Sequence, residues 1–280
     1  MDLKSGGLAG YELIDSGDGR KLERFGDVLL DRPSAQAIWP RSHPARWEDA
    51  RAVFLRGEGG GGEWQTRGGE LPESWSAELD SLVFEIRLTG FGNVGLFPEH
   101  SSHFAWMREL IAARDEPKVL NLFAYTGGAT IACALSGANV VHVDSAKAVN
   151  GWAKLNAENS GVPDDAVRYL ADDATKLAKR EIRRDNKYEG IVIDPPSFGR
   201  GPKGEVWKLE RGLAPLIANC QELLVDSPLF LLLTAHSPGV TPAVLRAMLA
   251  PLGGDVESGE MLLEGGGPAL PAGAFARWTP

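Results

Sequence analysis

Two hydrophobic rhythms divide this chain. Between residue 11 and about residue 87, short apolar pieces at 11–14, 21–25 and 27–31 are broken by turn residues such as Ser16-Gly17-Asp18-Gly19, a pattern that predicts β-hairpins. β-Branched and aromatic residues return over 82–88, bounded by Thr89-Gly90-Phe91-Gly92, and predict another strand. Phe104, Met107, Leu110 and Ile111 then recur at helical spacing behind Ser101-Ser102, an N-cap candidate, so a helix over 101–113 connects the two regions. From residue 118 the rhythm changes. Apolar runs at 119–123, 140–143, 167–170, 190–193 and 229–234 alternate with amphipathic stretches at 128–136, 146–160, 174–184, 209–224 and 242–250. Strand and helix in strict alternation specify an α/β fold with a doubly wound, mostly parallel sheet. Two last apolar pieces, 261–263 and 275–278, predict a hairpin added to one edge of it.

A length of 280 residues suits two domains, and the change of rhythm sets their expected bounds. These are a β-rich accessory or substrate domain over 1–95, a connecting helix within 96–116 and a ligand-binding domain over 117–280. The 34 glycines belong mainly to loops; the run from Gly57 to Glu63 predicts a flexible loop rather than a phosphate cradle, because no helix start with Lys-Ser/Thr follows it. With 29 Lys and Arg against 38 Asp and Glu, the net charge of −9 disfavours tight, sequence-blind binding to a phosphate backbone. Cys133 and Cys220 are too few for a zinc site or a disulfide framework, so no metal is expected and a reducing compartment is. No apolar run approaches the roughly 20 residues of a membrane span. A cytoplasmic protein without membrane contact is the expectation.

Ligands of a doubly wound sheet bind beyond the carboxyl ends of its strands, so the turns there are where chemistry is sought. The first, Asn121-Leu-Phe-Ala-Tyr-Thr-Gly-Gly-Ala129, ends in small residues that let a ligand approach a helix N-terminus. Phe123 and Tyr125 stand where a dinucleotide fingerprint wants glycine, which disfavours a nucleotide-dependent dehydrogenase. The second turn, Asp144-Ser145, lies 17 positions after Gly127 and offers a carboxylate for both hydroxyls of a ribose, or an N-cap for the next helix. In the third, Asp172-Asp173, one acid can receive an exocyclic amino group while the other caps a helix, and either can take either role. The fourth, Asp194-Pro195-Pro196-Ser197-Phe198, closes a buried strand with a rigid loop. There a carboxylate and a proline carbonyl can grip a planar amino group beside Phe198 as a stacking face.

Together these turns resemble the class I S-adenosylmethionine-dependent methyltransferases, over about 96–234. The segment from Asn121 to Ala129 is similar to that family's cofactor loop, which implies cofactor contacts at Asn121, Phe123, Tyr125, Thr126, Gly127 and Ala129. Asp144 with Ser145 is similar to its ribose acid, and Asp172 with Asp173 to its adenine side. Asp194, Pro195, Pro196 and Phe198 are similar to the catalytic-loop motif. The resemblance implies a Rossmann-like sheet, S-adenosylmethionine as cofactor and a base of RNA as acceptor, since the nearest likeness is to large-subunit ribosomal RNA methyltransferases acting on cytosine C5 or guanine N7. Two departures stand out. The cytosine-C5 members carry a nucleophilic Cys after the fifth strand, where this chain reads Thr234-Ala-His-Ser-Pro238. The element Gly95-Leu-Phe-Pro-Glu99-His100 is like the one preceding the family's connecting helix but lacks the arginines that follow it there, leaving Glu99 and His100 as candidates to face the cofactor. His236 is a candidate base. The segment 199–208, with Arg200, Lys203, Trp207 and Lys208, reads either as a solvated lid or as a cover over nucleic acid. A methyltransferase of a protein side chain or small molecule is the main rival, and a non-catalytic RNA-binding module a further one.

Overall fold

The structure, a computed structural model, describes residues 1–6, 8–57, 60–201 and 204–280. They form two compact units. The smaller comprises Lys4–Ser101 with Met261–Ala272, and the larger Met1–Leu3, Ser102–Glu260 and Gly273–Pro280. This division differs from a sequential cut at 95 and 116: the connecting helix belongs to the larger unit, and part of the C-terminal hairpin belongs to the smaller.

After a short first strand, β1 (Leu3–Ser5), the smaller unit builds a five-stranded sheet in chain order from β2 (Tyr11–Gly17), β3 (Arg20–Phe25), β4 (Val28–Pro33), β5 (Ala52–Arg56) and β6 (Gly62–Thr66). All its neighbours are antiparallel except β4 and β5. A separate hairpin joins β7 (Trp75–Leu79) to β8 (Leu82–Ile86). Leu22, Trp47 and Val53 lie in a small core between sheet and loops. The long connection from β4 to β5 is pinned by Asp15, whose carboxylate accepts from the backbone N–H of Ser16, Ser42 and His43 and from the indole of Trp47. Burial works to raise its pKa, but these donors prevail and hold it below the usual value. Of the glycine-rich run expected as a loop, Gly62 and Glu63 open β6, and Glu58 and Gly59 lie outside the described residues.

After Met1–Leu3, the larger unit takes up the chain within α1 (Ser101–Ile111) and continues as β9 (Lys118–Leu122), α2 (Gly128–Ala134), β10 (Asn139–Asp144), α3 (Lys147–Asn159), β11 (Val167–Ala171), α4 (Ala174–Arg183) and β12 (Gly190–Ile193). A small hairpin follows, β13 (Phe198–Arg200) and β14 (Val206–Lys208), then α5 (Leu209–Leu223), β15 (Phe230–Ala235), α6 (Pro242–Leu249), β16 (Asp255–Leu263) and β17 (Leu270–Thr279). The sheet order is β11-β10-β9-β12-β15-β17-β16-β1, parallel from β11 to β15, with β17 antiparallel to β15. β12 and β15 are buried along their whole length, which is why they read as unbroken apolar runs. Gly190 starts β12 because a β-carbon there would lie 2.6 Å from the ring of Phe230. Leu120, Ile191 and Leu231 lie in one core with Leu177 of α4 and Leu216 of α5. No helix among the described residues is long and apolar enough to cross a membrane.

The chain leaves β9 toward β10 on one side, and β12 returns on the other. The order of strands therefore reverses between β9 and β12, opening a crevice at their carboxyl ends. Leu122 and Ile193 are paired in register, so the turns that begin at residues 123 and 194 emerge side by side. The backbone N–H of Asp194 reaches back to the carbonyl of Leu122 at 3.4 Å.

Candidate cofactor and acceptor site

Phe123, Asp144, Ser145, Asp172, Asp173 and Pro196, six of the residues singled out in the sequence, line one cleft of about 50 Å³ at this crevice. Arg200 and Trp207 complete its far wall. Phe123 and Tyr125 both hold left-handed backbone, with φ of +57° and +47°. They adopt the conformation glycine would supply while keeping aromatic side chains, at a cost of about 1–3 kcal/mol each. Left-handed backbone thus occurs at both positions without glycine. Gly127, at φ +92°, precedes α2 as its N-cap, and a β-carbon there would come within 3.3 Å of Ala153.

Asp144 ends β10 with each carboxylate oxygen already holding backbone: Oδ2 accepts from Tyr125 N at 3.1 Å and Oδ1 from Ala146 N at 2.9 Å. Burial raises its pKa, against the pull of those donors. The acid therefore shapes the first turn and keeps lone pairs for a diol. In the third turn the two acids separate into distinct roles. Asp173 is the N-cap of α4, accepting from Lys176 N at 2.8 Å. Asp172 faces the cleft, held at 2.6 Å by Arg180.

The Asp194–Ser197 loop is anchored along its length. Thr234 donates to Asp194 Oδ1 at 2.6 Å, and His236 Nε2 lies 3.4 Å from the same oxygen. The indole N–H of Trp207 donates to the carbonyl of Pro196 at 2.7 Å, and the hydroxyls of Ser197 and Ser237 meet at 2.6 Å. Phe198 is 52% exposed, free to present its ring to an incoming group.

Other residues singled out in the sequence lie outside the lining of this cleft. Asn121 is buried in β9 and donates to Thr130 Oγ1 at 2.9 Å, Thr130 in turn meets His142 Nδ1 at 2.9 Å, and desolvation lowers the His142 pKa to about 4. Thr126 is buried, its carbonyl accepting from Asn156, and Ala129 sits in the first turn of α2. Tyr125 turns its ring toward Trp152, with centroids 6.2 Å apart. Pro195 is buried behind the loop. Glu99 lines a cleft of the smaller unit. The segment that reads as a solvated lid or a cover over nucleic acid carries the β13–β14 hairpin, while Lys203 lies outside the described residues. Its Trp207 points inward and is only 8% exposed, packing at 4.9 Å against Phe123. Trp207 was visible in the sequence only as an aromatic among basic residues, and Thr234 only as the end of an apolar run.

Residues 55–253 match the family model for S-adenosylmethionine-dependent methyltransferases. Among curated proteins, the ribosomal RNA large subunit methyltransferase K/L of Shewanella frigidimarina is 30% identical over 204 residues, covering 72% of this chain and 27% of that protein. Its counterpart from Shewanella woodyi is 32% identical over 214 residues, covering 75% and 28%. The chain thus spans about a quarter of the length of these relatives. Among solved structures, a SAM-dependent methyltransferase from Agrobacterium tumefaciens matches at 40% identity with a TM-score of 0.94, covering 100% of this chain and 93% of that one.

Proposed function

This chain belongs to the S-adenosylmethionine-dependent methyltransferase family, and from that premise we propose that it methylates a base of RNA, ribosomal RNA by likeness to its relatives. The cleft suits the cofactor on chemical grounds. Asp144 offers a half-shielded carboxylate to the ribose hydroxyls, Asp172 an acid to the adenine amino group, and Phe123 an apolar face. Bound there, the cofactor supplies a sulfonium methyl whose transfer leaves a neutral thioether. The protein's part is then mostly positioning: aligning the acceptor at about 3 Å supplies much of the acceleration.

Asp194 and a proline carbonyl of the loop grip the acceptor's polar edge, and Phe198 stacks on its face. Thr234 fixes the Asp194 carboxylate, and His236 stands ready to take a proton released by the acceptor. The observation that carries the nucleic-acid reading is a groove of about 570 Å³ beside the hairpin, rimmed by Lys176, Lys179, Lys208 and Arg211. Lys176 pairs with Glu205, and the other three have no ion pair among the described residues. A local basic surface of this kind attracts phosphates in spite of the net charge of −9.

The reading includes a mechanism without a cysteine nucleophile. Cys133 and Cys220 are fully buried, and burial pushes both thiols up to about 12, so neither supplies a thiolate. Their free state also suits a cytoplasmic setting. RNA carrying 5-fluorocytidine tests this directly. We expect no denaturation-resistant protein–RNA adduct, and a stable adduct would overturn the cysteine-free mechanism.

A further inference from the structure

The smaller unit carries a second cleft that the methyl-transfer site does not use. It holds about 140 Å³ and is lined by Lys21, Arg32, Arg56, Phe91, Asn93 and Glu99, among others. Three cations and one acid converge there in a chain of net charge −9. Arg32 is a fixed cation: its guanidinium is buried, paired with Glu23 through Nε at 2.8 Å, and its Nη1 donates to the carbonyl of Gly92 at 3.2 Å. Lys21 pairs with the same Glu23 at 3.0 Å. Arg56 is exposed and has no ion pair among the described residues.

The same cleft displays an aromatic ring that folding does not bury. Phe91 is 72% exposed at the tip of a tight turn. That turn is rigid: Gly92 N donates to the carbonyl of Thr89 at 3.1 Å, Thr89 Oγ1 donates to the carbonyl of Asn93 at 2.7 Å, and Trp64 Nε1 donates to the carbonyl of Thr89 at 2.8 Å. Gly92 adopts φ +81° and lies so close to Phe54 that a β-carbon would approach the ring to 2.8 Å. The backbone thus holds Phe91 outward, although burying an aromatic side chain is ordinarily favourable.

We propose that this cleft is a docking site for one unpaired nucleotide of an RNA strand. Phe91 stacks on the base, Asn93 and Glu99 meet polar groups on its edge, and Arg56 with Lys21 takes the neighbouring phosphate. A free aromatic face combined with cations suits a nucleotide, since an acidic peptide would use the cations and leave the ring idle, and a hydrophobic peptide would do the reverse. The choice of RNA rests on the acceptor reading above. The site's own chemistry stands apart from it.

The test uses the full chain, a short unstructured oligouridylate and fluorescence anisotropy over a series of salt concentrations. Phe91→Ala weakens binding roughly tenfold or more, as loss of a stacking platform does. Arg56→Glu weakens it as well and lowers the salt slope by about one. Both side chains are exposed, and S-adenosylmethionine affinity, measured in parallel, stays at the wild-type value. Oligouridylate binding that is absent in the wild-type chain, or unchanged in both variants, overturns the site. If the variants lose RNA binding but no RNA fraction accepts a methyl group, the acceptor reading fails and the docking site stands. If an acidic peptide binds more tightly than RNA and depends on Arg56 but not on Phe91, the nucleotide assignment is wrong.

Discussion

The hydroxyl of Thr234, at the end of β15, donates to Oδ1 of Asp194, at the end of β12, over 2.6 Å. Two neighbouring parallel strands thus aim one carboxylate from both sides of their shared carboxyl edge. Asp194→Ala is expected to lower turnover by far more than it lowers S-adenosylmethionine affinity. Thr234→Val, which removes a hydrogen bond to a charged group worth about 1.5–3 kcal/mol, should lower turnover roughly tenfold or more with little change in cofactor binding. Calorimetry alongside single-turnover methyl transfer separates the two. Equal losses in affinity and turnover for Asp194→Ala would mean that it serves the cofactor instead.

Asp144 makes the opposite prediction. Asp144→Ala removes the proposed ribose contact and the two backbone anchors that shape the first turn. Cofactor affinity is expected to fall at least tenfold, and turnover at saturating cofactor to fall less. An unchanged dissociation constant would remove Asp144 from the cofactor site.

Trp207 links the two halves of the site, ring to ring with Phe123 and indole N–H to the carbonyl of Pro196. Trp207→Phe keeps the packing and loses the hydrogen bond, so turnover should fall while cofactor affinity holds. Trp207→Ala loses both, and both quantities should fall. Two variants of equal effect would show that the hydrogen bond to Pro196 has no positioning role.

Stability carries a pH signature from His142. Burial lowers its pKa to about 4 from the usual 6.5, so between those values the unfolded chain binds a proton that the folded chain does not. Its contribution is complete above pH 6.5 and is lost as pH falls toward 4, by about 3 kcal/mol in all. Urea unfolding of the wild type and His142→Gln over this range should give a smaller pH slope for the variant. Identical slopes would place the proton uptake elsewhere.

Much of this was legible in the sequence because buried parallel strands and amphipathic helices leave strong periodicities. The strand at 190–193 and the helices after residue 100 lie within about two residues of their expected positions. Asp144, Asp172 and Asp194 could be found because acids at the ends of apolar runs stand out. Other features could not. β5 and β6 flank a glycine-rich run that masks their alternation, and β13 and β14 have three residues each, too few for a period. The inward turn of Trp207 depends on space above Gly212, where a β-carbon would meet its ring at 2.4 Å, a tertiary fact with no local signal. Phe123 and Tyr125 argued against a glycine-type turn, yet tertiary packing holds both in the left-handed conformation.

Incubation with methyl-labelled S-adenosylmethionine and separate RNA, ribosomal-subunit, protein and small-molecule fractions decides whether RNA is the acceptor. We expect label in RNA, recovered after nuclease digestion as a methylated nucleoside, and its disappearance with Asp194→Ala. Label in protein or small molecules with none in RNA, or RNA labelling that survives Asp194→Ala undiminished, would contradict it.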